Sequence, residues 1–364
     1  MSFHEMLISV MALFAVLGAL DRIFGNRYGL GKEFEDGILA MGSLALAMVG
    51  IVCLAPVLAA LLKPVVVPIY RFLGADPAMF AGTILACDMG GGALAEQLTA
   101  DPEAALLGGV ITGSMLGATI VFTIPVAMGI LEERDRPAMA KGILCGIVTI
   151  PVGVLAGGIV AGYRLSMIAR NLIPIVVIAA LIAFGLWKAE EAMVRGFTLF
   201  GKAVVTVVTV GLAAAIVEAL TGFVVIPGMA PISEGFETVG AIAIVLAGAF
   251  PLVYVATRLL RKPLTRVGKR LGINDAAAAG LIASLANSIA TFGLVKEMNY
   301  RGKVINIAFA VSAAFVFGDH LGFAAGFAPE ILGAMIVGKL SGGISAVGVA
   351  MWLTRKEGTQ AARQ

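Results

Sequence analysis

The sequence predicts an all-α polytopic membrane protein: two inverted five-segment repeats, each with a re-entrant helical hairpin, joined by a linking transmembrane helix. Three observations carry this reading. Apolar stretches of helix length recur along the whole chain. The two halves share landmarks at a near-constant offset. The lysines and arginines sort onto one side of a membrane only if two of the segments fold back on themselves.

Hydrophobic residues make up 60% of the 364 residues and charged ones 13%, against ~25% charged in an ordinary soluble domain; mean hydropathy is +1.00. Stretches of ~20 apolar residues match the hydrocarbon thickness, and no stretch is left over for a soluble domain. The net charge of +3 has no basic stripe, which excludes nucleic acid as a partner. Cys53, Cys87 and Cys145 lie far apart in apolar segments with no CxxC spacing, so they read as packing residues, not as a disulfide framework or zinc site. The first apolar run, Met6 to Leu20, follows His4 and Glu5 without a basic region and does not read as a cleaved leader.

Taken in order, eleven apolar segments lie near 5–21, 37–62, 77–98, 104–131, 138–162, 166–187, 197–220, 238–260, 275–297, 303–327 and 330–354. Gly109, Gly113 and Gly117 at four-residue spacing in the fourth fit close helix packing. Phe34-Glu35 recurs as Phe236-Glu237 at an offset of 202, and Lys63-Pro64 as Lys262-Pro263 at 199. Gly74 to Gly82 (GADPAMFAG) recurs as Gly272 to Gly280 (GINDAAAAG), Ser114 as Ser312 and Lys141 as Lys339, all at 198. The expected organisation is therefore a first repeat over 1–162, a linking helix over 163–196, a second repeat over 197–354 and a cytoplasmic tail over 355–364. The linking helix is the expected homodimer contact.

If all eleven segments cross, fourteen loop cations fall on one side and eleven on the other. If the third and ninth are hairpins, Lys63, Arg71, Arg164 and Arg170 lie outside and the remaining twenty-one inside, a positive-inside pattern with a cytoplasmic C-terminus. The same change inverts the second copy, a plan recurrent in secondary transporters. The third segment is interrupted by Asp88-Met89-Gly90-Gly91-Gly92, and glycines in a helix cost ~1 kcal/mol each relative to alanine. The ninth has Asn287-Ser288 at the matching place, and Asn tolerates a helix-ending conformation.

Polar groups inside such segments are the candidate site, because an unpaired charge in hydrocarbon costs ~2.5–3.5 kcal/mol or more. Asp88 reads as a counter-ion for a cation, or else as a cap on a local helix end. Asn287 donates and accepts, or simply ends its helix. Asp319 and His320 stand side by side between Gly318 and Gly322; on an intact helix they point ~100° apart, whereas a break there brings both onto one cavity. Thr119 occupies the corresponding place in the first copy, where its hydroxyl has the alternative of bonding back to its own helix, and Ser114, which recurs as Ser312, joins the set. Lys339 either snorkels or neutralises a carboxylate. The chain has no HExxH, GxSxG or P-loop and only two histidines, so it does not read as an enzyme, and neither cofactor nor metal is implied. An intramembrane enzyme using Asp88 and Asp319 as a carboxylate pair is the reading from another class.

The runs FEDGILAMGSLALAMVGIVCLAPVLA, ADPAMFAGTILACDMGG, GIVTIPVG, RGKVINIAFAVSAAFVFGDHLGFAA and IVGKLSGGISAVGVAM closely resemble the ethanolamine permease family of the bacterial ethanolamine-utilisation pathway, the EutH proteins. The resemblance spans about residues 5–354 and implies an inner-membrane carrier for ethanolamine working by alternating access, as a uniporter or coupled to protons. Another small amine or a nucleoside is the alternative substrate. Ethanolamine is a small ammonium alcohol, so its site needs a carboxylate or aromatic face for the cation and an amide or hydroxyl for the alcohol; Asp88, Asp319, Asn287 and Thr119 supply these.

Overall fold

A computed structural model describes residues 3–355, without the side chains of residues 3, 4, 190 and 260–270. The tail from Lys356 onward, and the side chains of the repeat landmark Lys262-Pro263 and of the cations Arg261, Arg266, Lys269 and Arg270, lie outside the described residues. Those described are helical, with no strand among them, and eight helices are long and apolar enough to cross a membrane.

Helix α1 (Phe3–Ile23) ends where Gly25 and Asn26 take left-handed backbones, and the Asp21 carboxylate accepts the backbone N–H groups of Tyr28 and Gly31 at 3.0 Å each, tying α1 to the next helix. Helix α2 (Leu30–Phe72) runs 43 residues through Pro56, Pro64 and Pro68, well beyond the expected 37–62. Proline is tolerated in membrane helices because neighbours take up the freed backbone groups, and at 1.5 Å per residue α2 is ~65 Å long.

The chain then turns at left-handed Gly74 into two short helices, α3 (Ala78–Ile84) and α4 (Gly91–Leu98), packed on each other. At 7 and 8 residues each is only ~10–12 Å long. Between them Leu85 and Ala86 are extended and Gly90 has φ 96°; a Cβ on Gly90 would also strike Ile51. The outer ends of the pair meet, since Thr99 Oγ1 donates to Asp76 Oδ2 at 2.9 Å.

Helix α5 (Pro102–Ile130) is capped by Asp101, which accepts from the N–H of Glu103 at 3.0 Å. Over Leu107–Gly117 and Thr119–Thr123 it is wound as a π-helix. Gly109, Gly113 and Gly117 face the short helices: a Cβ on Gly109 would crowd Ala95 and the Gly91 carbonyl, one on Gly113 the Cys87 backbone, and one on Gly117 the Leu85 carbonyl. The expected segment over 138–162 is split at Val148–Thr149 into α6 (Arg136–Ile147) and α7 (Ile150–Val160). Pro151 lacks the N–H that would continue the ladder, and Thr149 Oγ1 lies 3.1 Å from the Gly342 carbonyl. A non-helical Ala189 separates α8 (Leu165–Ala189) from α9 (Glu191–Thr221).

In the second half, α10 (Ile232–Leu271) packs along α2, and the chain turns at left-handed Gly272 into α11 (Asp275–Ala286). Asn287 is extended and α12 (Ser288–Leu294) folds back on α11. Their outer ends also meet: Asn274 Nδ2 donates to the Glu297 carbonyl at 2.8 Å, and Asn299 Nδ2 to that of Gly272 at 3.3 Å. The segment expected over 303–327 is broken. Helix α13 (Tyr300–Ala313) stops five residues before the expected Gly318, Phe315 takes φ 62°, and α14 (Asp319–Phe327) begins after the gap. The N–H groups freed in the gap are satisfied from outside, Phe315 donating to the Ser284 carbonyl at 3.1 Å and Phe317 to that of Leu285 at 2.8 Å. Helix α15 (Leu332–Leu353) closes the fold. Just past its end, the Thr354 carbonyl accepts from Arg301 Nη1 in the first turn of α13 at 3.2 Å. The residues leading into α15, Ala328 and Glu330, share a cleft with Thr99 and Asp101. The start of α13 and the Thr99–Asp101 turn thus lie near opposite ends of α15.

Candidate functional site

The breaks converge. Asp88 lies in the turn between α3 and α4, while Asp319 and His320 open α14. With Ala86, Met89, Ala118, Phe122 and Phe315 they line a cavity of about 40 Å³, room for about two or three waters. Asp88, Met89, Phe122 and Asp319 also line an adjoining cavity of about 780 Å³ that runs past Ser43, Thr198 and Lys202 between α2, α5 and α9.

The groups are wired together. Asp88 Oδ1 stands 3.6 Å from His320 Nε2, and His320 Nδ1 lies 3.0 Å from Lys339 Nζ. The Lys339 ammonium also donates to the main-chain carbonyl of Ser114. Phe315 packs its ring 5.2 Å from the imidazole and edge-on to Phe122 at 5.4 Å. Lone-pair-bearing carboxylates and aromatic faces around one small space attract a compact cation. Cys87, Asp88 and His320 also bring ligand atoms within 4.8 Å of one another. The imidazole among them already shares a hydrogen bond with Lys339 Nζ through its Nδ1, so a metal ion there would sit beside the lysine.

Of the residues singled out from the sequence, Asp88, Asp319 and His320 meet at the cavity. Thr119 does not line it: its Oγ1 lies 2.7 Å from the Met115 carbonyl and 3.0 Å from that of Val311, joining α5 to α13. Ser114 directs its hydroxyl to the Ile111 carbonyl at 2.9 Å and meets the site only through its backbone oxygen. Asn287 accepts the Ile289 N–H at 2.7 Å, capping α12, and lines a separate cavity with Thr257, Arg258 and Asp275. Three members of the site were absent from the sequence-based set. Lys339 was visible as a charge within an apolar segment, and it does not snorkel: it is 1% exposed. Phe122 was visible as the repeat mate of His320. Phe315 gave no signal, since its place depends on where the tenth segment breaks.

With that geometry in view, comparison with known proteins is informative. A family model described as "Ethanolamine utilisation protein, EutH" matches residues 3–353. A probable ethanolamine permease EutH of Listeria monocytogenes serotype 1/2a (strain 10403S) is 59% identical, covering 98% of this chain and 95% of its own. An uncharacterized protein YxeR of Bacillus subtilis (strain 168) is 52% identical over 97% of this chain and 96% of its own. A probable ethanolamine permease EutH of Salmonella typhimurium (strain LT2) is 48% identical over 98% and 97% respectively. No solved structure matches the chain.

Proposed function

Because the chain belongs to the EutH family of ethanolamine utilisation proteins, we propose that it is a multi-pass permease of the bacterial inner membrane that takes up ethanolamine by alternating access. The observation that carries the reading is the pair of carboxylates, Asp88 and Asp319, facing one small cavity walled by Phe122 and Phe315 where two helix breaks meet. The substrate ammonium sits between the carboxylates and over the rings, and its hydroxyl meets the Nε2–H of His320. A cation moving inward gains ~2.3 kcal/mol per 100 mV of inside-negative potential, so uniport suffices energetically, and protonation of the carboxylates offers a route for proton coupling.

In this reading α3–α4 and α11–α12 are re-entrant hairpins entering from opposite faces, one in each of two inverted repeats over 1–162 and 197–354. Support comes from the hydrogen bonds that close each pair at its outer end, from the start of α13 and the Thr99–Asp101 turn lying near opposite ends of α15, and from the twenty-one-to-four distribution of loop cations. The C-terminus is then cytoplasmic. Residues 163–196 form the linker, and the exposed Leu181, Phe184 and Trp187 of α8 are the proposed homodimer contact.

Uptake of labelled ethanolamine into proteoliposomes tests the function. The wild-type protein accumulates label above protein-free vesicles, and Asp88→Asn and Asp319→Asn each lower uptake by roughly a hundredfold, as expected for a cation left without its counter-charge in the bilayer. A wild type no better than empty vesicles sinks the proposal.

A further inference from the structure

Lys339 is a buried cation that transport of ethanolamine does not by itself require. It lies seven residues after the start of α15, is 1% exposed, and divides its ammonium between the Ser114 carbonyl and His320 Nδ1. A 3.0 Å N···N contact holds one proton, because the accepting nitrogen must offer a lone pair. The Lys339–His320 pair therefore carries at most one positive charge, never two. With the ammonium as donor, Nδ1 is the bare nitrogen and the imidazole proton sits on Nε2, which faces the Asp88 carboxylate.

The titratable groups at the site are then two carboxylates, one ammonium, a neutral imidazole and the buried Cys87 thiol. Among the described residues no lysine or arginine lines the small cavity, and Lys202, which lines the adjoining one, is exposed. Lys141, the repeat mate of Lys339, lies elsewhere, with its ammonium 5.4 Å from the ring centre of Tyr300. With Lys339 protonated and both carboxylates ionised, the tethered ammonium balances one of them and leaves one negative charge unmatched. A single free monocation neutralises the site, whereas a substrate with a second charged end brings a cation that has no partner.

We propose that Lys339 is a specificity-determining residue of the carrier: a built-in ammonium, held by Ser114 and His320, that restricts the site to small primary ammonium compounds whose other end is uncharged. The proposal rests on the permease reading above and adds the class of amine that is refused.

The test compares ethanolamine with 1,2-diaminoethane, its near-isostere with an amine in place of the hydroxyl, at mildly acidic pH where both diamine nitrogens are protonated. Uptake into proteoliposomes is measured for the wild type, Lys339→Met and Lys339→Gln, each first checked for folding by size-exclusion chromatography. The wild type prefers ethanolamine by roughly a hundredfold in kcat/KM, the penalty of an unpaired charge in the bilayer interior. Both variants narrow the ratio to within about tenfold by gaining diamine uptake, since two unmatched carboxylates now face the site. A wild type that carries both compounds alike overturns this inference alone; one that carries neither overturns the permease reading with it. Folded variants that keep the wild-type preference, or that lose ethanolamine uptake without gaining the diamine, also overturn it. Should neither variant fold, the wild-type ratio decides.

Discussion

Phe122 and His320, 198 residues apart, line the same cavity on either side of the Phe315 ring, and their neighbours Val121 and Asp319, at the same offset, both line the larger space beside it. Residues paired by the 198-residue offset read from the sequence thus line common cavities. The first of each pair is a valine or an aromatic ring and the second an acid or an imidazole.

The rings should matter for binding. A cation over an aromatic face gains ~0.5–2 kcal/mol, so Phe315→Leu and Phe122→Leu should each raise the KM for ethanolamine by about 2- to 30-fold with a smaller change in kcat. Initial-rate uptake over a range of substrate concentrations measures the split. An unchanged KM in both variants would remove the rings from the binding site.

Membrane sidedness is open to labelling. All three native cysteines are buried, so background reactivity should be low. A cysteine at Thr99 should react with an impermeant maleimide added to intact cells, and one at Asn299 only after permeabilisation. The reverse result, or both sites on one face, contradicts the inverted arrangement.

Close packing of α5 on the short helices predicts a graded response to added methyl groups. Gly117→Ala places a Cβ against the Leu85 carbonyl, whereas at Gly129 nothing lies within 4 Å. Overpacking of this kind costs about 1–3 kcal/mol, while Gly129→Ala should be neutral or slightly stabilising. Thermal unfolding in detergent distinguishes them.

Lys303 and Asp135 form an ion pair with side chains only 13% and 3% exposed, joining the start of α13 to the start of α6. Removing one member of such a pair costs about 3–5 kcal/mol, while replacing both by apolar residues is often neutral. Asp135→Leu should therefore lower stability far more than Asp135→Leu combined with Lys303→Met, and a double-mutant cycle reads the difference.

The sequence made the membrane class legible because hydropathy alone decides it. It also pointed to helix breaks at Asp88–Gly92 and Asn287-Ser288, since glycine runs and a mid-segment asparagine disfavour helix locally; the observed ones run over Leu85–Gly90 and at Asn287, with Gly91 and Gly92 already helical. Other features depend on partners distant in sequence. The gap before Asp319 begins at Ala314 because Ser284 and Leu285 offer carbonyls to its free N–H groups, and no residue within the gap announces that. The role of Lys339 was equally hidden, because one of its acceptors is a backbone oxygen 225 positions away. Thr119, Ser114 and Asn287 looked available as polar residues, yet nearby backbone groups engage all three. Residue type reports what a side chain can bond, whereas the fold decides what it meets first.

The π-wound stretch of α5 gives the wall of the site a second way to wind. Carbonyls in a π-helix are paired as fully as in an α-helix, only to a donor one residue further along. Switching between the two windings leaves no group bare in hydrocarbon, where an unpaired one costs several kcal/mol. Such a switch at Leu107–Gly117 or Thr119–Thr123 would turn Phe122 about the helix axis and carry its ring off Phe315.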